Sequence, residues 1–426
     1  GLDLDYLTGP GPTAVRLRVA AERGEAAYHA AFNTIATIPG SVWPDEWILV
    51  GAHRDAWGPG AVDNVSGTAS VIEAARAFAA AARQGYRPRR TLVFATWDAE
   101  EWGILGSTEW VEANAHQLKA HAIAYVNQDS PVSGTRFGAS SAPEIRGLVR
   151  DATRAVRDPK SGRSVYDVWL EAQRARQEGA SIEEPTLGTM GGGSDHLPFY
   201  LHLGIPVAGH GFGGPSGVYH SMYDTADWMQ RFGDPGYQYH AATSRITAVI
   251  LARLANAELI PYAHGALATA FRTNLAGVAG ELERDVAAGD IPEAGAADVA
   301  RALGIAREAL DGYEEAASRY EAGRTSWDRG EVPSSNLTAR ANRAQRDAIA
   351  ALLRSPDEGG GWSRNLYVQD DPDNGYAPLL LPGVRLALRA GDLGLVSREL
   401  RLLGAHFGQA AAALRRALVL LREGNP

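Results

Sequence analysis

Three short apolar runs, at 47–52 (W-I-L-V-G-A), 91–96 (T-L-V-F-A-T) and 123–127 (I-A-Y-V-N), alternate with stretches of helical periodicity at 67–83 and 106–118. Strands spaced by helices of this length predict an α/β fold: a mixed, mostly parallel sheet with helices on both faces. Alternating segments at 14–20 and 27–38 read as antiparallel strands ahead of that core. A short strand near 205–208, a Gly-rich loop and a helix over 238–258 follow it. Beyond Leu259 no strand-like alternation is visible. Helices are expected at 265–287, 293–322, 335–354 and 394–422, with a long unstructured loop at 355–382 carrying Trp362, Tyr367 and Tyr376.

At roughly 150 residues per domain, a chain of 426 residues holds two or three domains. The expected division is a short N-terminal segment over 1–40, an α/β domain over 41–258 and a helical domain over 259–426. Asp and Glu outnumber Lys and Arg by 50 to 41, so no global field favours nucleic acid or an anionic membrane. No apolar run is long enough to span a bilayer. With Cys 0, disulfides, thiolate metal sites and cysteine nucleophiles are excluded.

In open α/β sheets ligands bind beyond the carboxyl ends of the strands. There the chain places His53-Arg54-Asp55, Asp98-Ala99-Glu100-Glu101 and Gln128-Asp129-Ser130, and Asp63 precedes the helix at 67. Carboxylates gathered at one sheet edge repel each other unless cations sit among them, and two divalent ions meet that need. Imidazole and carboxylate without thiolate favour zinc. A second imidazole is expected from later in the chain, and His220, after a Gly-rich loop, is the best candidate. Asp55 fits a supporting role, accepting a hydrogen bond from the ring nitrogen of His53 that faces away from a metal.

The stretches V-G-A-H-R-D-A-W-G-P-G-A-V-D-N-V-S-G (50–67), R-P-R-R-T-L-V-F-A-T-W-D-A-E-E-W-G-I-L-G-S-T-E-W (87–110), Y-V-N-Q-D-S (125–130) and V-Y-H-S-M-Y-D-T (218–225) resemble the co-catalytic zinc peptidases of the glutamate carboxypeptidase II and transferrin receptor branch. The resemblance implies a zinc exopeptidase fold in which Asp63 bridges two Zn2+, His53 and Asp129 complete one site, and Glu101 and His220 complete the other. It implies Glu100 as general base and Tyr219 as the phenol that donates to the oxyanion. Gly193 and Ser194 of the loop Gly191-Gly192-Gly193-Ser194, with Tyr376, would contact substrate, and the Asp63-Asn64 peptide would be cis. Glu109 and Glu112 match half of a Ca2+ site.

By the same resemblance, residues 1–40 are the remnant of a protease-associated apical domain with its return strands, and the chain is a fragment or a processed form. The helical domain would pair two copies into a homodimer, its long loop approaching the partner's active site. Relatives of this kind work outside the cytosol, secreted, periplasmic or at the cell surface.

Departures from the branch bear on specificity. Glutamate-specific members carry paired arginines where this chain reads Ala208-Gly209-His210-Gly211, and a Lys where Gly375 precedes Tyr376. The expected function is a di-zinc metallopeptidase acting on peptide substrates as a carboxypeptidase or aminopeptidase, with neutral or apolar rather than glutamate preference. The alternatives are a catalytically silent receptor-like or scaffold protein and a hydrolase of a non-peptide amide.

Overall fold

Strands β2 (Trp43–His53), β3 (Arg90–Trp97), β4 (Ala122–Asn127) and β6 (Val207–Gly213) run parallel in the order β3-β2-β4-β6. Antiparallel β1 (Thr34–Ile38) and β5 (Arg136–Ser141) close the two edges. The computed structural model describes Arg16, Arg18, Ala20 and residues 29–177, 181–214, 217–289, 291–327, 335–359 and 361–423. The strand expected at 14–20 therefore lies mostly outside the described residues. Of the one expected at 27–38, β1 is the part that forms.

The chain passes from β2 to β3 through α1 (Ser66–Arg83), then returns past β2 to β4 through α2 (Leu105–Ala113) and α3 (Ala115–His121). Right-handed crossovers that reverse direction put their helices on opposite faces and open a crevice between the carboxyl ends of β2 and β4. On the α1 face lie α7 (Gln238–Asn256) and α4 (Arg146–Ala155), with α5 (Val165–Arg176) against α4 and β5. A single turn, α6 (Ala226–Trp228), precedes α7. The expected helix at 106–118 is two helices, broken where the Asn114 side chain donates to the Trp110 carbonyl at 2.7 Å.

Burial of β2 explains its unbroken apolar run: Ile48, Leu49, Val50 and Ala52 are at most 1 % exposed. Gly51 serves a different need. A Cβ there would lie 2.5 Å from Trp97 Nε1 and 2.6 Å from the Tyr125 hydroxyl, so only glycine lets those two groups meet across β2 in a 2.9 Å hydrogen bond. Phe199 stacks on Tyr125 with ring centroids 4.1 Å apart, and Trp110 packs against both Trp97 and Phe199.

Helices α8 (His264–Ala288), α9 (Glu293–Trp327), α10 (Ser335–Ala350), α11 (Pro382–Arg389) and α12 (Leu393–Glu423) form the remainder, with α12 laid along α9 and α10. They share one contiguous hydrophobic core with the sheet. Tyr262, between α7 and α8, donates its hydroxyl to the Ile123 carbonyl of β4.

Two expectations are corrected. Residues 209–213, read as a Gly-rich loop, are most of β6; a side chain at Gly211 would meet the Pro131 carbonyl oxygen at 2.3 Å, so its glycine reflects close packing rather than a turn. The stretch 355–382 is not unstructured, because β7 (Val368–Asp371) and β8 (Asn374–Leu380) form a hairpin there. Its turn is built by Asp371, whose carboxylate accepts from the Asp373 amide at 3.1 Å and pairs with Arg389.

At the opposite end of the sheet from the crevice, Arg90 is fully buried. Its Nε donates to Glu46 at 2.6 Å, and its other nitrogens donate to the carbonyls of Leu254, Ala257 and Glu258 at the end of α7. Arg90→Met leaves Glu46 and those carbonyls unpaired in the core. It is expected to cost roughly 3–5 kcal/mol in urea unfolding; a loss under about 1 kcal/mol would show that the pair does not hold α7 to the sheet.

Candidate metal centre

The crevice gathers the polar residues that follow the strands. His53 ends β2, Asp129 follows β4, Glu100 and Glu101 follow β3, Asp63 lies just before α1, and His220 sits on the loop before α6. His53 Nε2 is 3.2 Å from Asp63 Oδ1 and 3.3 Å from Asp129 Oδ1, while His220 Nε2 is 2.9 Å from Asp63 Oδ2 and 3.2 Å from Glu101 Oε2. Asp63 thus turns one oxygen to each imidazole. His53, Asp63 and Asp129 form one triad whose donor atoms lie within 4.8 Å of one another, and Asp63, Glu101 and His220 form a second.

These donors fit metal ions on an observation independent of spacing: Asp63 Oδ1 and Glu101 Oε1 are buried and receive no hydrogen bond. Two orphaned carboxylate oxygens in one crevice are costly unless cations take them. The titration behaviour agrees. Burial opposes a charged His53, yet the surrounding carboxylates of Asp129, Asp55 and Asp63 outweigh it and hold the ring strongly towards its protonated form. Burial, then Asp63, raises Glu101; burial, then the charges of Asp195, Asp129 and Glu101, against the opposing His53, pushes Glu100 up to about 9.

The backbone around the donors is held under strain. Ala99, Ser130 and His220 have φ of 55°, 43° and 54°, a left-handed conformation that non-glycine residues adopt at a cost of about 1–2 kcal/mol each. The Asp63-Asn64 peptide is cis.

Hydrogen bonds keep these segments in place. Asp55 accepts from the backbone amides of Glu100 and Glu101, each at 3.1 Å; the His53 Nδ1 is 3.1 Å from the Asp55 carbonyl and 3.5 Å from its carboxylate. Its role is therefore wider than expected, tying β2 to the loop after β3. Ser194, expected at substrate, spends its hydroxyl on Asp129 Oδ2 at 2.5 Å and in turn accepts from Asn127 at 2.8 Å.

Tyr219 stacks on the His220 ring at 3.8 Å, and burial, the Asp63 charge and a hydrogen bond to Tyr376 raise its phenol. Gly193 lies directly beneath the Tyr376 ring, so the hairpin reaches the site of its own chain. Glu109 and Glu112 gather no third acidic or imidazole group among the described residues, and Glu112 accepts a hydrogen bond from Trp362.

Three contributors were missed. Asp224 is buried and accepts from the amides of Val62 at 2.8 Å and Asp63 at 3.0 Å, clamping the bridging residue; its place four residues after His220 was the available signal. Asn64 donates to the Gln128 carbonyl and accepts from the amides of Gly67 and Ser130. Asp195 is a buried carboxylate that burial above all, opposed by His53 and aided by Asp129 and Asp55, pushes up to about 7.

Residues 33–234 match the profile of peptidase family M28. The chain carries an M28 peptidase domain. It is 40% identical over 281 residues to "Probable glutamate carboxypeptidase LAMP1" of Arabidopsis thaliana, covering 66% of this chain and 39% of the relative. It is 32% identical over 403 residues to "Probable glutamate carboxypeptidase" of Arthroderma benhamiae, covering 92% and 52%. With "Aminopeptidase NAALADL1" of Mus musculus it shares 33% identity over 278 residues, covering 61% and 37%. The chain thus spans about half or less of the length of these relatives. Among solved structures, a zinc aminopeptidase of Bacillus subtilis matches with 20% identity and a TM-score of 0.40, over 53% of this chain and 50% of that one.

Asp224→Asn turns one acceptor of the Val62 and Asp63 amides into a donor. It is expected to weaken zinc binding about 10- to 100-fold in chelator competition; unchanged affinity would show that the M28 domain positions Asp63 without it.

Proposed function

We propose that this chain is a di-zinc exopeptidase in which His53, Asp63 and Asp129 hold one ion and Asp63, Glu101 and His220 hold the other. The observation that carries the reading is Asp63, whose two oxygens face the two imidazoles separately. Two such ions, when bound, lower the pKa of water and neutralise charge developing on a carbonyl oxygen.

The chain's own residues do the rest. Glu100, buried and 3.9 Å from His53 Nε2, stands beside the first triad and next in sequence to Glu101 of the second, and is a member of neither. It accepts a proton from the attacking water; water oxygen bonds to the carbonyl carbon, the C–N bond breaks, and Glu100 passes the proton to the leaving amine. The two ions, when bound, would favour the ionised form of Glu100 that this acceptance needs, against the burial that raises it. Tyr219 is kept protonated beside His220, and its hydroxyl would exchange its hydrogen bond to Tyr376 for one to the oxyanion.

Homodimerisation through residues 259–426 and action outside the cytosol belong to this reading on the resemblance alone. A mass near twice 45.3 kDa in sedimentation at micromolar concentration supports the dimer, and 45.3 kDa overturns it. Calcium is not included, since Glu109 and Glu112 form no such group among the described residues.

Glu100→Gln removes the proton acceptor while leaving both triads whole. Zinc content by elemental analysis is expected to stay at about two per chain, while turnover of a peptide library falls by roughly 100- to 10,000-fold. Retained turnover would place the base elsewhere.

A further inference from the structure

A cavity of about 760 Å³ opens beside the metal centre, lined by Asp129, Ser194, Tyr219 and Tyr376 and by Arg136 and Arg176. Arg136 begins β5 and Arg176 ends α5, so an edge strand and a helix 40 residues apart deliver two guanidinium groups to one space. Neither has a hydrogen bond or ion pair among the described residues. Other arginines of the same stretch of chain are committed: Arg163 to Glu171 at 2.6 Å, Arg150 to Glu184 at 3.0 Å, and Arg174 to the Ile182 carbonyl at 2.8 Å.

We propose that Arg136 and Arg176 hold the free α-carboxylate of a peptide whose C-terminal side chain is apolar, which makes this chain a carboxypeptidase. The proposal rests on the di-zinc exopeptidase reading and adds to it the terminus and the residue class.

Three features of the cavity support it. An aminopeptidase must pair the substrate's terminal ammonium with an acidic group, and the one acidic side chain among the described lining residues is Asp129, already committed to the metal triad. A terminal carboxylate needs planar, charged donors, which guanidinium groups supply two at a time. The remaining wall includes the half-buried ring of Phe137, backed by the buried Met190 and Phe212, which an apolar side chain can pack against. His196 and His210 also line the cavity, but burial lowers both, His210 to about 3, so they add no positive charge at neutral pH. Arg136 and Arg176 are then the cations of the described lining. That is enough for one carboxylate and leaves none for the second carboxylate of a C-terminal glutamate.

The segment at 208–211, where glutamate-specific relatives carry arginines, is Ala-Gly-His-Gly here, and the cations come instead from β5 and α5.

The test uses the zinc-loaded chain with acetyl-Leu-Phe, acetyl-Leu-Glu and Leu-Phe-amide. Expected are cleavage of acetyl-Leu-Phe, no cleavage of Leu-Phe-amide, and at least about tenfold lower kcat/KM for acetyl-Leu-Glu. Arg136→Gln and Arg176→Gln, both surface changes, should each lower kcat/KM for acetyl-Leu-Phe by about tenfold or more, mainly through KM, because the contact exists in ground and transition state alike. A binding arm needs no turnover: zinc-loaded Glu100→Gln should bind acetyl-Leu-Phe by calorimetry at least about tenfold more tightly than acetyl-Leu-Phe-amide, and each arginine substitution should remove that difference. Equal binding of acid and amide, or arginine variants with unchanged KM and affinity, overturns the proposal. Preference for acetyl-Leu-Glu overturns its apolar part. A zinc-loaded parent that binds acid over amide yet cleaves nothing sinks the peptidase reading and leaves the carboxylate site standing.

Discussion

Asp63, Glu100, Glu101 and Asp129 occupy one crevice, and their mutual repulsion is the constraint that the rest of the structure answers. Buried carboxylates at this spacing are tolerable only with compensating positive charge or by taking up protons. The structure shows both tendencies: His53 is drawn towards its charged form, and Glu100 and Glu101 are pushed towards their neutral ones. A site that asks for cations this strongly also tends to splay apart. The surrounding donors prevent that, with Asp55 taking the amides of Glu100 and Glu101 and Asp224 taking those of Val62 and Asp63. Carboxylates outside the donor set thus hold the backbone of those inside it.

The same logic links the centre to the core. Trp97 donates to Tyr125, Tyr125 to Asn127, Asn127 to Ser194 and Ser194 to Asp129, a chain of hydrogen bonds crossing β3, β4 and the loop at 191–194. Each donor in the series has one partner, so the orientation of a metal-facing carboxylate depends on a tryptophan packed under the sheet. Gly51 permits the first link by having no side chain. The aromatic cluster of Trp97, Trp110, Tyr125 and Phe199 therefore fixes the site's geometry as well as contributing buried area.

What could be read from the sequence divides along a physical line. Strand ends project into the crevice by topology, so His53, Glu100, Glu101 and Asp129 were visible as soon as β2, β3 and β4 were recognised, and His220 followed from the need for a second imidazole. The roles of Asp224 and the arginines were not visible, because they arise from contacts across long sequence separations; the place of Asp224 four residues after His220 marks it out without saying what it holds. Asp224 lies 161 residues from the amide of Asp63 that it holds. Arg136 lies on β5 and Arg176 on α5, two elements in a stretch that lacked clear periodicity. Turn residues misled in two senses: the glycines at 209–213 mark a packed strand, and Pro372-Asp373 between β7 and β8 was not taken as the hairpin signal it is.

The hairpin changes how the helical region relates to catalysis. Gly191, Gly192 and Gly193 pack against the backbone and ring of residues 375–378, and Tyr376 hydrogen-bonds Tyr219 beside His220. Side chains at those glycines would push β8 away, so the triple glycine is explained by contact with the hairpin as well as by access to the cavity. Ser194 and Asp195 follow directly, one holding Asp129 and the other buried behind the crevice. A displacement of β8 would thus be felt along residues 191–195 and, through the Ser194 hydroxyl, at the metal-facing carboxylate of Asp129. Since β8 leads into α11, which packs on α12, the geometry of the crevice depends on the helical region of the same chain even though every donor of the two triads comes from the sheet domain.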